Sequence, residues 1–287
     1  MSFIKHILWA TDYSDESRDA LLHAGLFAAT FGARLSALHV VPDFSPVLYE
    51  SLPAAEAELT GRIERARAAA EAKIVDISRA QGIKFDSVLV RKGSPANAIC
   101  EAAATEKADL IVIGRTGLSG SGRSAIGSVT NRVLHGSAVP VLVTKKRAGG
   151  PSLRKILVPT DFSSREEVER DHAWRLAKAF KASLGFLYVM ELFGHDFRLT
   201  DELFKAVLAK LKSRRAKEHE DIEMTEDVTK AIYASDGIIE YADTHKYDLI
   251  VMSTHVGKVA RVLLGSTTEK VIARSSLPVF AIPSSAD

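Results

Sequence analysis

The second half of the 287-residue chain repeats the first half. Ile7-Leu-Trp-Ala-Thr-Asp-Tyr-Ser14 returns as Ile156-Leu-Val-Pro-Thr-Asp-Phe-Ser163, at an offset of 149. Two further matches follow in the same order, and they join Lys107–Gly114 to Lys246–Ser253 and Ala138–Thr144 to Ser276–Ile282. Self-similarity in a fixed order indicates a duplicated structural unit. The sequence therefore predicts two domains of the same fold.

The boundary between the domains is predicted near Arg147-Ala-Gly-Gly-Pro-Ser152, because such a basic stretch containing Gly and Pro is typical of a linker. We expect domains at residues 1–148 and 153–287.

Short apolar runs alternate with helix-forming stretches in each copy. In the first copy five runs are predicted to be strands: Ile7–Ala10, Arg34–Val41, Ser87–Arg91, Asp109–Gly114 and Val139–Thr144. Alternation of strand and helix favours a parallel sheet covered by helices on both faces. We expect two tandem doubly wound α/β domains, each a five-stranded parallel sheet in the order 3-2-1-4-5. The closing strands of the two copies are candidate edges for pairing into an intramolecular pseudo-dimer.

A glycine-rich motif follows the fourth strand of the first copy. It reads G-x2-G-x9-G-S, with Gly114, Gly117 and Gly127-Ser128 at its fixed positions. Glycines let the backbone approach an anion and adopt a positive φ. Gly127-Ser128 opens the next helix, whose N–H groups and dipole attract negative charge. Arg115 and Arg123 lie in the same loop, where they add positive charge. The motif predicts a phosphate cradle.

The first strand ends at Ala10-Thr11-Asp12, which a doubly wound sheet places near that loop. Asp12 has two interpretations. Its carboxylate accepts hydrogen bonds from ribose hydroxyls or holds a divalent cation such as Mg²⁺ beside the phosphates. Alternatively, it only caps the following turn or helix.

These motifs together resemble the universal stress protein family in its tandem form. The resemblance rests on Ile-Leu-x-x-Thr-Asp-[Tyr/Phe]-Ser, Leu38-His39-Val40, the Asp-Leu-Ile-Val run, the glycine motif and Pro-Val-Leu-Val. In this family the glycine motif marks members that bind ATP. The resemblance implies a cytoplasmic ATP-binding regulatory protein of the stress response, without a catalytic residue. The expected nucleotide contacts are Ala10, Thr11, Asp12, Val40, Ile113, Gly114, Arg115, Gly117, Gly127, Ser128 and Val129. Among them Ala10, Thr11 and Val40 frame the adenine through the backbone, and Ala10 stands where the family usually has proline.

The second copy lacks most of this motif. Ser253 and Val256 stand at the first two glycine positions, and Gly257 comes one place late. A β-branched residue resists the positive φ that a glycine position demands. Asp161 and Gly265-Ser266 remain. We expect weak or absent ATP binding there, and a relaxed loop using Gly257, Lys258 and Arg261 is the alternative.

Composition excludes several classes of protein. The formal net charge is only +2, from 38 basic and 36 acidic residues, which argues against a dedicated DNA binder. Cys100 is the single cysteine, so an intramolecular disulfide is excluded and a reducing cytoplasm is favoured. No apolar run is long enough to span a membrane.

Two other functions stay open. A slow ATPase or phosphotransferase would use the first-copy site, with Mg²⁺ on Asp12 and phosphate transfer to Ser128. A nucleotide-free interaction protein is the other. The stress, the protein partner, a homodimer and the choice among ATP, ADP and AMP are undetermined by the sequence.

Overall fold

The computed structural model describes residues 3–41, 53–118, 125–146, 150–163, 166–192, 200–213, 221–254 and 265–283. The chain divides into two compact units, and the division falls between Ala148 and Gly149. Each unit alternates strand and helix along the chain, as the repeat predicts.

The first unit is a five-stranded parallel sheet with four helices. Its strands lie in the order β3-β2-β1-β4-β5. The elements in chain order are β1 (His6–Thr11), α1 (Asp15–Phe31), β2 (Arg34–Val41), α2 (Pro53–Gln81), β3 (Ser87–Lys92), α3 (Pro95–Thr105), β4 (Leu110–Gly114), α4 (Ser128–Gly136) and β5 (Val141–Thr144).

The second unit has the same topology, with its strands in the order β8-β7-β6-β9-β10. Its elements are β6 (Lys155–Pro159), α5 (Glu166–Phe180), β7 (Ser183–Glu191), α6 (Thr200–Ser213), β8 (Met224–Ala231), α7 (Ala234–Thr244), β9 (Leu249–Ser253), α8 (Ser266–Arg274) and β10 (Val279–Ile282). The predicted fold class is confirmed. The predicted bounds of the five strands in the first copy differ from the observed ones by at most two residues at an end.

Strand β1 is the centre of the first unit because it is covered on both faces. All six of its residues are buried. Trp9 stacks on Phe85 with 5.5 Å between ring centroids. Its indole Nε1 donates to the carbonyl oxygen of Ser17 at 2.8 Å, so the ring is satisfied while buried. This contact ties helix α1 to the strand that precedes it.

Helix α1 has residues at both of its ends that are typical of helix caps. The Ser14 side chain accepts the N–H of Ser17, and Asp15 and Glu16 place negative charge in the first turn, where the helix dipole favours it. Gly32 ends the helix in the left-handed conformation, at φ 63°. The start of α1 is therefore fixed directly after the carboxyl end of β1.

No helix in the described part of the chain is long and apolar enough to cross a membrane.

Gly185 provides a test of packing in the second unit. A Cβ atom there would lie 1.9 Å from the hydroxyl oxygen of Tyr247, whose side chain is 1% exposed and has no room to move. We expect Gly185→Ala to lower the free energy of unfolding by about 1–3 kcal/mol, measured as a lower midpoint of thermal unfolding. Gly61→Ala is the control, because its Cβ would meet only Arg65, at 3.9 Å. Equal midpoints for the two variants would contradict this packing.

Candidate functional site

The carboxyl ends of β1 and β4 lie side by side. The two strands pair directly, and β1 pairs on its other side with β2, so the chain runs in opposite directions across the sheet from this point. In doubly wound sheets such a switch point leaves a crevice beyond the strand ends. Residues that follow β1 and β4 form its walls.

A compact turn follows β1. The N–H of Tyr13 donates to Thr11 Oγ1 at 3.0 Å, and the N–H of Ser14 donates to Asp12 Oδ1 at 3.0 Å. Tyr13 takes the left-handed conformation, with φ 68°. The Asp12 carboxylate therefore has the local turn role that one of its two interpretations assigns to it.

Asp12 also reaches the glycine loop. Its second oxygen, Oδ2, accepts the N–H of Leu118 at 2.8 Å. One carboxylate thus joins the turn after β1 to the loop after β4, which are 106 residues apart in the chain. A charge-assisted bond of this kind contributes about 1.5–3 kcal/mol.

Glu16 makes a parallel contact that the sequence analysis missed. Its Oε2 accepts the N–H of Thr116 at 2.6 Å. The acidic first turn of α1, with Asp15 and Glu16, is the sequence signal for it, but the same charges are equally expected as a complement to the helix dipole. Asp12 and Glu16 together hold two alternate amides of the loop.

Glycine is required in the loop for space rather than for a positive φ. None of Gly114, Gly117 and Gly127 has a positive φ, so that part of the prediction is wrong. A Cβ atom at Gly117 would instead lie 2.3 Å from Asp12 Oδ2. One at Gly114 would lie 2.9 Å from the backbone of Glu16, and one at Gly127 would lie 3.2 Å from Thr116 Cα. The absent side chains let the end of β4 approach the backbone of α1, the loop approach the Asp12 carboxylate, and the start of α4 approach the loop backbone.

Helix α4 begins at this loop with backbone donors exposed. Gly127 is its N-cap and supplies no capping side chain. The N–H of Gly127 donates to the Arg115 carbonyl oxygen at 2.9 Å, and Thr130 Oγ1 donates to the Gly114 carbonyl oxygen at 2.8 Å. In the described part of the chain the N–H groups of Ser128 and Val129 have no acceptor, as expected for a first helical turn. They are available to an anion.

The remaining predicted contacts lie around this crevice or behind it. Ala10, Thr11, Val40 and Ile113 are buried in the strands, so backbone atoms are what they can offer. Arg115 is only 3% exposed, so it is not the exposed cation of the loop that the sequence analysis expects. Arg123 lies outside the described residues.

Tyr13 and His39 form an aromatic wall beside the turn. Their ring centroids are 4.4 Å apart, and His39 Nδ1 lies 2.8 Å from the Thr11 carbonyl oxygen. Lys73 Nζ lies 4.1 Å from the centroid of the Tyr13 ring. Burial raises the pKa of the Tyr13 hydroxyl to about 12, so it stays protonated at neutral pH.

The second unit repeats this frame. The N–H of Thr254 donates to the Ile282 carbonyl oxygen, as that of Arg115 does to Thr144. Thr268 Oγ1 donates to the Ser253 carbonyl oxygen at 2.8 Å, as Thr130 does to Gly114. Asp161 Oδ1 likewise accepts the N–H of Ser163, at 2.8 Å. Its loop residues His255, Val256, Gly257, Lys258 and Arg261 lie outside the described residues.

No group of three His, Cys, Asp or Glu side chains that could hold a metal ion occurs among the described residues. Asp12 is the one carboxylate that the sequence associates with a cation, and both of its oxygens already accept an N–H group. A divalent cation there would therefore need most of its ligands from a bound phosphate or from water.

The family model for universal stress proteins matches residues 4–145 and again residues 152–283. The chain belongs to the universal stress protein family. A universal stress protein of Methanocaldococcus jannaschii is 40% identical over 145 residues, which are 50% of this chain and 82% of the relative. One from Mycolicibacterium smegmatis is 26% identical over 291 residues and 96% of each chain. The solved structure of a universal stress protein from Archaeoglobus fulgidus covers 99% of both chains, with a TM-score of 0.70 and 24% identity. The tandem arrangement of this universal stress protein is thereby confirmed.

The contact between Gly117 and Asp12 can be tested with a double-mutant cycle. Gly117→Ala places a Cβ against Asp12 Oδ2 and pushes the carboxylate off the Leu118 N–H. We expect it to cost about 1–3 kcal/mol in the wild-type background and much less when Asp12 is already alanine. Unfolding free energies of the four proteins measure the coupling, and strictly additive costs would show that the two residues do not touch.

Proposed function

We propose that the first unit binds an adenine nucleotide, ATP foremost, and that the protein acts as a nucleotide-dependent regulator rather than a metabolic enzyme. The observation that carries the proposal is the start of α4. Its first turn presents the N–H groups of Ser128 and Val129, which have no acceptor among the described residues, directly beside the glycine loop. Such a helix terminus binds phosphate through backbone donors and the helix dipole.

The phosphates would lie beside Gly127 at the N–H groups of Ser128 and Val129, because the N–H of Gly127 itself already donates to the Arg115 carbonyl oxygen. The N–H groups of Thr116 and Leu118 are engaged by Glu16 and Asp12, and they would serve the ligand only if those carboxylates moved. These contacts support phosphate at the helix start, with Asp12 next to the sugar.

Mg²⁺ would accompany the triphosphate in this arrangement. A carboxylate close to a phosphate is repulsive unless a cation or a hydroxyl lies between them. Asp12 can accept from ribose hydroxyls or contribute one ligand to a cation held by the phosphates. A bound Mg²⁺ would neutralise part of the phosphate charge, and residues of this chain would hold the nucleotide in position.

Membership of the universal stress protein family favours a nucleotide over other anions as the ligand. The G-x2-G-x9-G-S motif of this chain is the one that, by resemblance, marks ATP-binding members. Ala10, Val40 and Ile113 are buried, and they offer backbone groups at the strand ends to an adenine ring.

Slow hydrolysis is the second candidate, since Ser128 lies at the phosphate position. Asp12 and Glu16 are the carboxylates at the loop, and each is held by an N–H group rather than directed at a water position. We therefore expect no phosphate release and no label on the protein in a single-turnover experiment with γ-labelled ATP. Stoichiometric labelling of Ser128 would establish the phosphotransferase instead.

Isothermal titration with ATP and Mg²⁺ tests the proposal. We expect one ATP per chain in the wild type and at least a hundredfold weaker binding in Gly117→Val, since the new side chain occupies the space beside Asp12. Gly61→Val is the matched control, because it makes the same substitution on helix α2, away from the crevice. Unchanged affinity in Gly117→Val would refute the site, and mass spectrometry of any co-purifying molecule would identify the natural ligand.

A further inference from the structure

A chain of hydrogen bonds joins three side chains near the amino ends of β1, β2 and β3, at the opposite end of these strands from the crevice. His6 Nε2 lies 2.7 Å from Ser36 Oγ, and Ser36 Oγ lies 2.7 Å from Ser87 Oγ. His6 Nδ1 lies 2.8 Å from the carbonyl oxygen of Glu106, the C-cap of α3. The strand register explains this alignment, because Ser36 pairs with Ser87 on one side and on the other with Leu8, which shares a face of the sheet with His6.

The direction of each bond in this chain follows from its last acceptor. A carbonyl oxygen only accepts, so Nδ1 of His6 carries the proton and Nε2 is an acceptor. The Arg34 guanidinium lies 3.5 Å from the same Nδ1, a longer contact that leaves this assignment unchanged. Ser36 then gives its single proton to Nε2, and Ser87 gives its own to Ser36. Both hydroxyl protons are thus directed toward an unprotonated imidazole nitrogen.

Of the three side chains, Ser87 is the accessible one. His6 and Ser36 are each 2% exposed, whereas Ser87 is half-buried. Strand β3 stands at one end of the strand order and pairs with β2 alone among the described strands. The N–H of Asp86 donates to the Leu35 carbonyl oxygen, so the next N–H along this parallel ladder, that of Ser87, faces the open edge. Ser87 therefore presents a hydroxyl oxygen and an amide donor together.

The second unit offers an internal comparison because it lacks the middle of this chain. At the equivalent places in the strand register, Lys155 stands for His6, Gly185 for Ser36 and Thr225 for Ser87. Lys155 Nζ donates to the carbonyl oxygen of His245, the C-cap of α7, at 3.1 Å. Thr225 is exposed, and its Oγ1 lies 3.4 Å from the hydroxyl of Tyr247, whose pKa is raised by burial. In the described part of the chain no hydroxyl relay connects Thr225 to a base.

We propose that Ser87 is a nucleophile that accepts an acyl group from an activated carboxylic acid derivative, with Ser36 and His6 as its proton relay. Ser87 Oγ forms a bond to the acyl carbon while its proton passes to Ser36 Oγ and the Ser36 proton passes to His6 Nε2. The bond between the acyl carbon and the leaving group then breaks, and the leaving group departs with the electron pair. The ring remains as an imidazolium, which gives its additional proton to water.

The surroundings of His6 stabilise the positive charge that the ring gains. Nδ1 continues to donate at the C-terminus of α3, where the helix dipole favours a cation. The Asp109 carboxylate accepts the backbone N–H of His6 at 3.0 Å and adds negative charge nearby. Arg34 opposes the charge, but it is exposed, so solvent and salt screen it. The proposal is independent of the proposed function, since none of these residues belongs to the nucleotide crevice.

The test treats the full chain with 4-nitrophenyl acetate, whose leaving group departs as an anion, and follows acetylation of each residue by peptide mass spectrometry. We expect Ser87 to be acetylated at least tenfold faster than Thr225 in the wild type. The same ratio is expected against position 225 in Thr225→Ser, where the two hydroxyls are of the same type. Exposure alone predicts the opposite order, because Thr225 is exposed and Ser87 is half-buried.

Substitutions in the relay separate proton transfer from accessibility. Ser36→Ala and His6→Gln should each lower the acetylation rate of Ser87 at least tenfold, whereas Ser36→Thr, which keeps the hydroxyl, should retain it. Acetylation of Lys178, which is exposed on α5, serves as the reference for probe dose in every variant. Midpoints of thermal unfolding identify the variants that are folded.

Two results overturn the proposal: acetylation of Ser87 no faster than that of position 225 in Thr225→Ser, or an unchanged rate at Ser87 in folded Ser36→Ala. The first comparison leaves the relay intact, so it decides the question even where the buried variants do not fold. Failure of the proposed function shows separately, as absence of ATP binding, and does not alter the acetylation rates.

Discussion

The contact between the Asp12 carboxylate and the Leu118 N–H holds the first-unit crevice together. It joins the turn after β1 to the loop after β4, and it exists only because Gly117 has no side chain in the way. Glu16 repeats the arrangement at Thr116. The loop is fixed by side-chain acceptors from the other wall of the crevice, and in the helix that follows it the N–H groups of Ser128 and Val129 find no acceptor among the described residues.

This arrangement separates two roles that a glycine-rich loop combines in the sequence. Part of the loop uses its amides internally, whereas the N–H groups of Ser128 and Val129 have no acceptor in the described part of the chain. Negative side chains beside an anion site raise the free energy of the bound anion. In the first unit Asp12 and Glu16 lie opposite the positive end of the α4 dipole. Duplication has kept one backbone frame, since Thr268 contacts the Ser253 carbonyl oxygen as Thr130 contacts that of Gly114.

Much of the fold followed from the sequence because the repeat reports topology directly. Ile7 and Ile156 begin matching strands, and the apolar runs of β4 and β9 are buried on both faces, which local patterns express well. The residues of the glycine motif could be named for the same reason. The contact made by Glu16 could not, since it joins residues 100 positions apart and depends on how α1 sits over the loop. The physical role of Gly117 could not be predicted from the sequence either. Lack of space for a side chain and the need for a positive φ both require glycine, so the residue type does not tell them apart.

The turn that follows β1 also follows β6. Thr160 Oγ1 accepts the N–H of Phe162, and Phe162 adopts φ 59°, as Thr11 and Tyr13 do in the first unit. Each turn satisfies its own amides through a hydroxyl and a carboxylate and holds an aromatic residue in a conformation that costs about 1 kcal/mol or more. The Thr-Asp-aromatic-Ser signature is therefore a self-contained chain reversal. The divergent second copy keeps the signature, which again precedes the first helix of its unit. A sequence search that takes the signature as evidence of ligand binding would therefore also select domains in which it has only this structural role.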